Sequence, residues 1–93
     1  MRAISKTKKF RKDQKREKKG AHKDTLELDL AALVTLLATD AQLPERYQDH
    51  PLSGEWKDHR DAHLLPDLIV IYRKVGDENL ELIRLGSHSE LGL

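Results

Sequence analysis

The sequence contains no cysteine, which excludes disulfides and thiolate metal sites and weakly favours a reducing compartment. It also lacks any apolar run of about 18 residues, the length that a membrane-crossing helix needs. Its first residues carry no apolar core of a signal peptide. These absences lead to the expectation of a cytoplasmic protein without membrane contact. No internal repeat and no low-complexity linker interrupts the 93 residues. One domain over 1–93 is therefore expected, long enough to bury most of one small core without metal or disulfide support.

What is present begins with a divided charge. Residues 1–23 hold eleven Lys and Arg against Asp13 and Glu17, a net +9, whereas the remainder holds six against fourteen acidic residues, a net −8. A basic segment of this density is an electrostatic footprint for polyanions, and nucleic acid is the leading partner.

Arg2 to Ser5 reads as a short strand. From Thr7 to Lys19 the chain has no Gly or Pro, and Gly20 stands where a helix would be capped, so a basic first helix is predicted over about 6–20. Its apolar face is little more than Phe10, and the competing reading is a disordered basic tail. Asp24 or Thr25 can cap a second helix to about Thr39, with Leu26, Leu30, Leu33, Val34 and Leu37 on one face; Leu28 and Leu36 widen that face beyond one stripe. Pro44 and Pro51 bracket a loop holding Tyr47, Asp49 and His50. Strands over Trp56–His63, Leu68–Lys74 and Leu80–Leu85, joined by turns at Leu65–Asp67 and Gly76–Glu78, give a C-terminal meander over about 55–86. The order β-α-α-β-β-β predicts an α+β domain. Its mainly antiparallel sheet would be covered on one face by a two-helix hairpin and open on the other to a ligand.

Residues 49–67 gather three of the five histidines, an arginine and the single tryptophan beside a strand-like apolar run. Because side chains two apart share a strand face, His59, Asp61 and His63 would line one side, with Trp56, Asp58 and Arg60 on the other. His50, Asp67 and His88 can approach from the flanking loops. Histidine populates both protonation states near neutrality, so a histidine pair with a carboxylate suits the base and the acid of RNA cleavage. Arg84 or Arg60 can steady the phosphate through a charged planar fork. Each group also has a plainer reading. His22 is expected to be idle, Trp56 to serve as packing, and Arg60 to pair with Asp58 or another carboxylate. Zinc at His59 and His63 is disfavoured for want of a four-ligand shell.

Asp49-His50-Pro51-Leu52, Gly54, Trp56-Lys57, Arg60-Asp61-Ala62-His63, Pro66-Asp67, Ile71-Tyr72 and Arg84-x-Gly86-x-His88 resemble the YafQ-type toxins of the RelE/ParE superfamily. The resemblance covers nearly the whole chain. It implies the compact RelE-like fold and a ribosome-dependent endoribonuclease that cuts messenger RNA in the A site without metal or cofactor. It also implies a cognate DinJ-like antitoxin, with operator DNA met only through the toxin–antitoxin complex. Carried over by position, His50, His63, Asp67 and His88 are the catalytic candidates, Asp61 a supporting one and Arg84 the phosphate-binding one. Lys6, Lys8, Lys9, Arg11, Lys12, Lys15 and Arg16 would face ribosomal RNA. The chain departs from the family pattern after His88, where Ser89-Glu90-Leu91-Gly92-Leu93 offers no aromatic ring to stack on a base. Two other functions fit less of the sequence: a gyrase inhibitor of the same fold, which needs no acid–base cluster, and a binding module whose basic helix is its whole activity.

Overall fold

A computed structural model describes residues 1–20 and 23–93, so His22 lies outside the described residues. The elements are β1 (Ala3–Lys6), α1 (Lys8–Lys18), α2 (Leu26–Ala38), β2 (His50–Pro51), β3 (Arg60–Leu65), β4 (Leu68–Val75), β5 (Asn79–Gly86) and α3 (His88–Leu91). Short 3₁₀ turns at Glu45–Tyr47 and Gly54–Trp56 flank β2.

Helix α1 starts where Thr7 accepts the Phe10 amide on its side-chain oxygen, one of the orphan donors that every helix start must satisfy. The same hydroxyl donates to the Ile83 carbonyl at 2.7 Å, which ties the helix start to the sheet. Lys15, Arg16 and Lys18 sit in the last turn, where cations suit the helix dipole. Gly20 does not take a left-handed conformation there. The end is closed instead by the Lys19 and Gly20 amides donating to the carbonyls three residues back. In α2, Thr25 is the N-cap residue but makes no side-chain capping bond, and Leu26, Leu30, Leu33 and Leu37 are buried as the spacing predicts. Leu36 is half-buried and Leu28 is 76% exposed, so the apolar sector is wider than the core it meets.

The sheet has the order β1-β5-β4-β3-β2; β1 runs parallel to β5 and every other neighbour is antiparallel. Phe10 of α1 and the leucines of α2 pack with Ala62, Leu64, Leu68, Val70, Tyr72, Leu80, Leu82 and Leu85, so both helices cover one face. On the other face Ile69 and Ile71 pack with Leu52, Trp56, Ile83 and Leu91. The expected helical hairpin over one face is present. The opposite face is only half open, because the 3₁₀ turn at Trp56 and helix α3 cover part of it.

Two elements extend the expected β-α-α-β-β-β order. Strand β2 is two residues long, and α3 is held by a capping box in which Ser87 and Glu90 bond one another's backbone amides. The strand expected from Trp56 begins at Arg60 instead, because Trp56 ends a 3₁₀ turn and Asp58 is left-handed (φ 70°). His59 therefore lies before the strand. Its ring meets that of Trp56 edge-on at 5.5 Å rather than lining a face with Asp61 and His63.

Candidate active site

In an antiparallel ladder, residues directly opposite one another share a face. His50 stands opposite Asp61, Asp61 opposite Ile71, and Ile71 opposite Arg84; in the next row His63 stands opposite Ile69 and Ile69 opposite Gly86. His50, Asp61, His63 and Arg84 thus belong to the half-open face. A register shift in the β4–β5 ladder is what brings Arg84 there, since Leu82 before it and Leu85 after it both belong to the helix-covered core.

His50 Nδ1 lies 2.9 Å from the Gln48 carbonyl oxygen and 2.9 Å from Asp61 Oδ1. A carbonyl only accepts, so the proton sits on Nδ1, directed at Gln48, and Nε2 carries the lone pair. Asp61 Oδ1 is within ion-pair reach of that ring without an aligned hydrogen bond, and it is buried with no hydrogen-bond partner. Burial pushes the Asp61 carboxyl above the usual range, an effect that the charges of His50, His63 and His88 oppose. The His63 and His88 rings meet edge to face, with centroids 5.2 Å apart. His88 Nδ1 is 3.9 Å from Oδ1 of Asp67, which is exposed on the two-residue turn between β3 and β4.

His50, Asp61 and His88 line a cleft of about 600 Å³ whose apolar walls include Leu52, Trp56 and Leu93. That volume falls in the range of small-molecule sites, about 300–1,000 Å³. His63 lies behind His88 and faces a neighbouring pocket with Arg46, Gln48 and Pro66. The plain expectation for Trp56 holds in part: it packs on the Ile69–Ile71 cluster while also walling the cleft. Leu91 is buried in that cluster, so of the last apolar side chains only Leu93 reaches the cleft.

Arg84 is tied more firmly than the sequence suggests. Its Nε and Nη2 donate to Asp13 of α1 at 2.7 and 3.2 Å, and the Leu85 amide donates to the same carboxylate at 3.0 Å. Asp13 is 4% exposed, and its carboxylate holds the guanidinium still further in its charged form. A single acid within a run of lysines gives no sign of this role. Arg16, placed with the RNA-facing set by resemblance, donates to Asp13, to Glu17 and to the Leu85 carbonyl and lies 3.4 Å from Glu90. Lys6, Lys8, Lys9, Arg11, Lys12 and Lys15 are exposed, and Lys6, Arg11, Lys12 and Lys15 border a shallow groove along α1. Arg60 points away from the cleft and pairs with Asp49 rather than Asp58. Among the described residues, no three His, Cys, Asp or Glu side chains come together as a metal site, and no helix is long and apolar enough to cross a membrane.

A family model described as "Bacterial toxin of type II toxin-antitoxin system, YafQ" matches residues 2–92. The mRNA interferase toxin YafQ of Escherichia coli K12 is 46% identical over 83 residues, covering 88% of this chain and 86% of that protein. A metal-bound toxin from Helicobacter pylori superposes with a TM-score of 0.81 at 44% identity, over 98% of this chain and 99% of that one. The DinJ–YafQ complex of E. coli gives a TM-score of 0.78 at 38% identity, over 98% of both chains. With the sequence matched almost from end to end and the fold shared at this level, the chain belongs to the YafQ family of bacterial toxins from type II toxin–antitoxin systems.

Proposed function

We propose that the chain acts as one toxin domain that cleaves messenger RNA in the A site of the bacterial ribosome, without metal or cofactor. The observation that carries this reading is the gathering of His50, His63 and His88 with Asp61 and Asp67 on one sheet face. The likeness to a protein named as an mRNA interferase supports it. In the proposed reaction the 2′-oxygen of the message attacks the adjacent phosphorus and the bond to the 5′-oxygen breaks. The products are a 2′,3′-cyclic phosphate and a 5′-hydroxyl.

His50 is the base we assign, because its Nδ1 proton is held by Gln48 and its Nε2 lone pair is left to take the 2′-proton. Asp61 stands beside the ring to stabilise the imidazolium that forms. His88, entering the step as the imidazolium, donates its own proton to the departing 5′-oxygen, oriented by Asp67 on one side and His63 on the other. Arg84 steadies the phosphate with Nη1, since Nε and Nη2 are engaged by Asp13. The outward lysines and Arg11 of α1, with Lys6, would meet ribosomal RNA, and Arg16 would serve that surface by bracing it. A DinJ-like antitoxin would hold the toxin inactive in the cytoplasm and carry it to operator DNA, as the complex formed by the E. coli relative suggests.

The test is to map new message ends in a translating-ribosome system for the native chain, for His88→Ala and for naked RNA. Cuts within codons that require ribosomes, and that fall by about 10²–10⁴-fold in His88→Ala, are expected. New 5′-phosphate ends would sink the chemistry. Arrested growth with intact messages would sink the nuclease reading altogether.

A further inference from the structure

Behind the half-open face three polar side chains meet without entering the chemistry above. Asp49, one residue ahead of His50, accepts the Tyr72 hydroxyl on Oδ1 at 2.5 Å. Its two oxygens also accept Arg60 Nε at 3.3 Å and Nη2 at 3.1 Å. Tyr72 is 2% exposed, and burial together with the Asp49 charge pushes its hydroxyl well above the ordinary tyrosine range, so it remains a donor at working pH. Arg60 and Tyr72 stand opposite one another in the β3–β4 ladder. Tyr72 belongs to the helix-covered core, so the three groups lie on the far side of the sheet from the His50 ring.

The segment carrying His50 has few restraints of its own. Strand β2 makes only two pairings at the edge of the sheet, and one of its residues is Pro51, which has no amide to donate. Gln48, just before it, is left-handed (φ 47°), a conformation that costs a non-glycine residue about 1–3 kcal/mol and persists only where neighbours hold it. Yet Gln48 supplies the carbonyl that fixes the His50 proton. Asp49 lies between the two, and it is the residue anchored to β3 and β4.

We propose that Asp49, Tyr72 and Arg60 form a latch that positions His50 from behind the sheet, holding the Gln48 turn and with it the Nδ1-protonated form of the ring. They are positioning residues and touch no substrate. The kinetic consequence rests on His50 being the base proposed above; the structural consequence does not.

Tyr72→Phe removes one buried hydroxyl and keeps the ring, and Asp49→Asn keeps the shape while removing the charge that draws Arg60. Ring-nitrogen NMR should show His50 of the native chain protonated at Nδ1 when neutral, and mixed between Nδ1 and Nε2 in both variants. The Leu52 amide, which donates to the His59 carbonyl at 2.9 Å, should exchange faster in the variants while the Val70 amide in the core keeps its native rate. In ribosome-dependent cleavage, kcat should fall by up to about 10²-fold with KM unchanged, the size of effect a small misplacement of a catalytic group can have. A native His50 tautomer and native Leu52 exchange in both variants would overturn the latch, and so would exchange accelerated equally at Leu52 and Val70. If the native chain cuts no message, the nuclease reading fails while the NMR measurements still decide the latch.

Discussion

Asp61 is 2% exposed, and its position beside three histidines opposes the cost of burying its charge without removing it. The sign of the pH dependence follows from the raised carboxyl. Relative to the unfolded chain, the folded protein favours the protonated form, so the stability tied to Asp61 is fully present below the unfolded carboxyl range. It is lost as pH rises through the folded value. Asp61→Asn is therefore expected to melt above the native protein at pH 7, with the difference closing on acidification, while cleavage falls because His50 loses its counter-charge. Calorimetry across pH decides it; a gap that persists unchanged into acid would remove Asp61 as its source. Much at this scale was legible, since the motif Arg60-Asp61-Ala62-His63 and the alternation of a strand place Asp61 and His63 on one face. What escaped were the partners from distant segments. Neither Asp13 under Arg84 nor Tyr72 under Asp49 has a local pattern, because each pair joins residues more than twenty positions apart.

Helix α1 has two sides with different duties. Lys8, Lys9, Arg11 and Lys12 point outward, whereas Phe10 and Asp13 are buried and Arg16 bridges the helix to β5 and α3. Replacing the four outward cations with Ala is expected to leave the melting temperature nearly unchanged, since surface substitutions usually stay within about 0.5 kcal/mol each. The same change should weaken ribosome binding and lower its salt slope by about 0.7–0.9 for each phosphate no longer neutralised. Arg16→Ala is expected to leave the salt slope near native and to cost about 0.5–1.5 kcal/mol of stability, because the Asp13 carboxylate loses one partner while Arg84 and the Leu85 amide remain. Salt titrations of ribosome binding, run beside thermal melts, separate the two. The helices themselves were readable from spacing and from the absence of breakers. Strand β2 was not, because two residues next to a proline become a strand only through pairing with β3. Helix α3 had an overlooked signal: Ser87-x-x-Glu90 is the sequence form of the capping box it uses.

Over the whole molecule, the division of charge in the sequence becomes a division of labour around one sheet: basic helix and leucine-rich helix on one face, histidines on the other. Leu33 is fully buried between α2 and the sheet. Leu33→Ala is expected to cost about 2–5 kcal/mol, read as a lower denaturant midpoint, because the packed core around it relaxes only partly into the cavity left behind. The layer order was legible because a strand, two successive helices and three strands in that order leave both helices to cover one face of the sheet. The half-closure of the other face was not, since it depends on Trp56 and Leu91, far apart in the chain, packing into one cluster with Ile69 and Ile71. One pairing also governs when the molecule comes into being. Strand β1 finds its partner only in residues 79–82, and Asp13 finds Arg84 and Leu85 later still. During synthesis, at about 5–20 residues per second, the nascent chain carries its basic helix for most of that time with no sheet to close it and no histidine cleft. On the ribosome-directed activity proposed above, that order would keep the emerging chain inactive until β5 and His88 have joined the parts made before them.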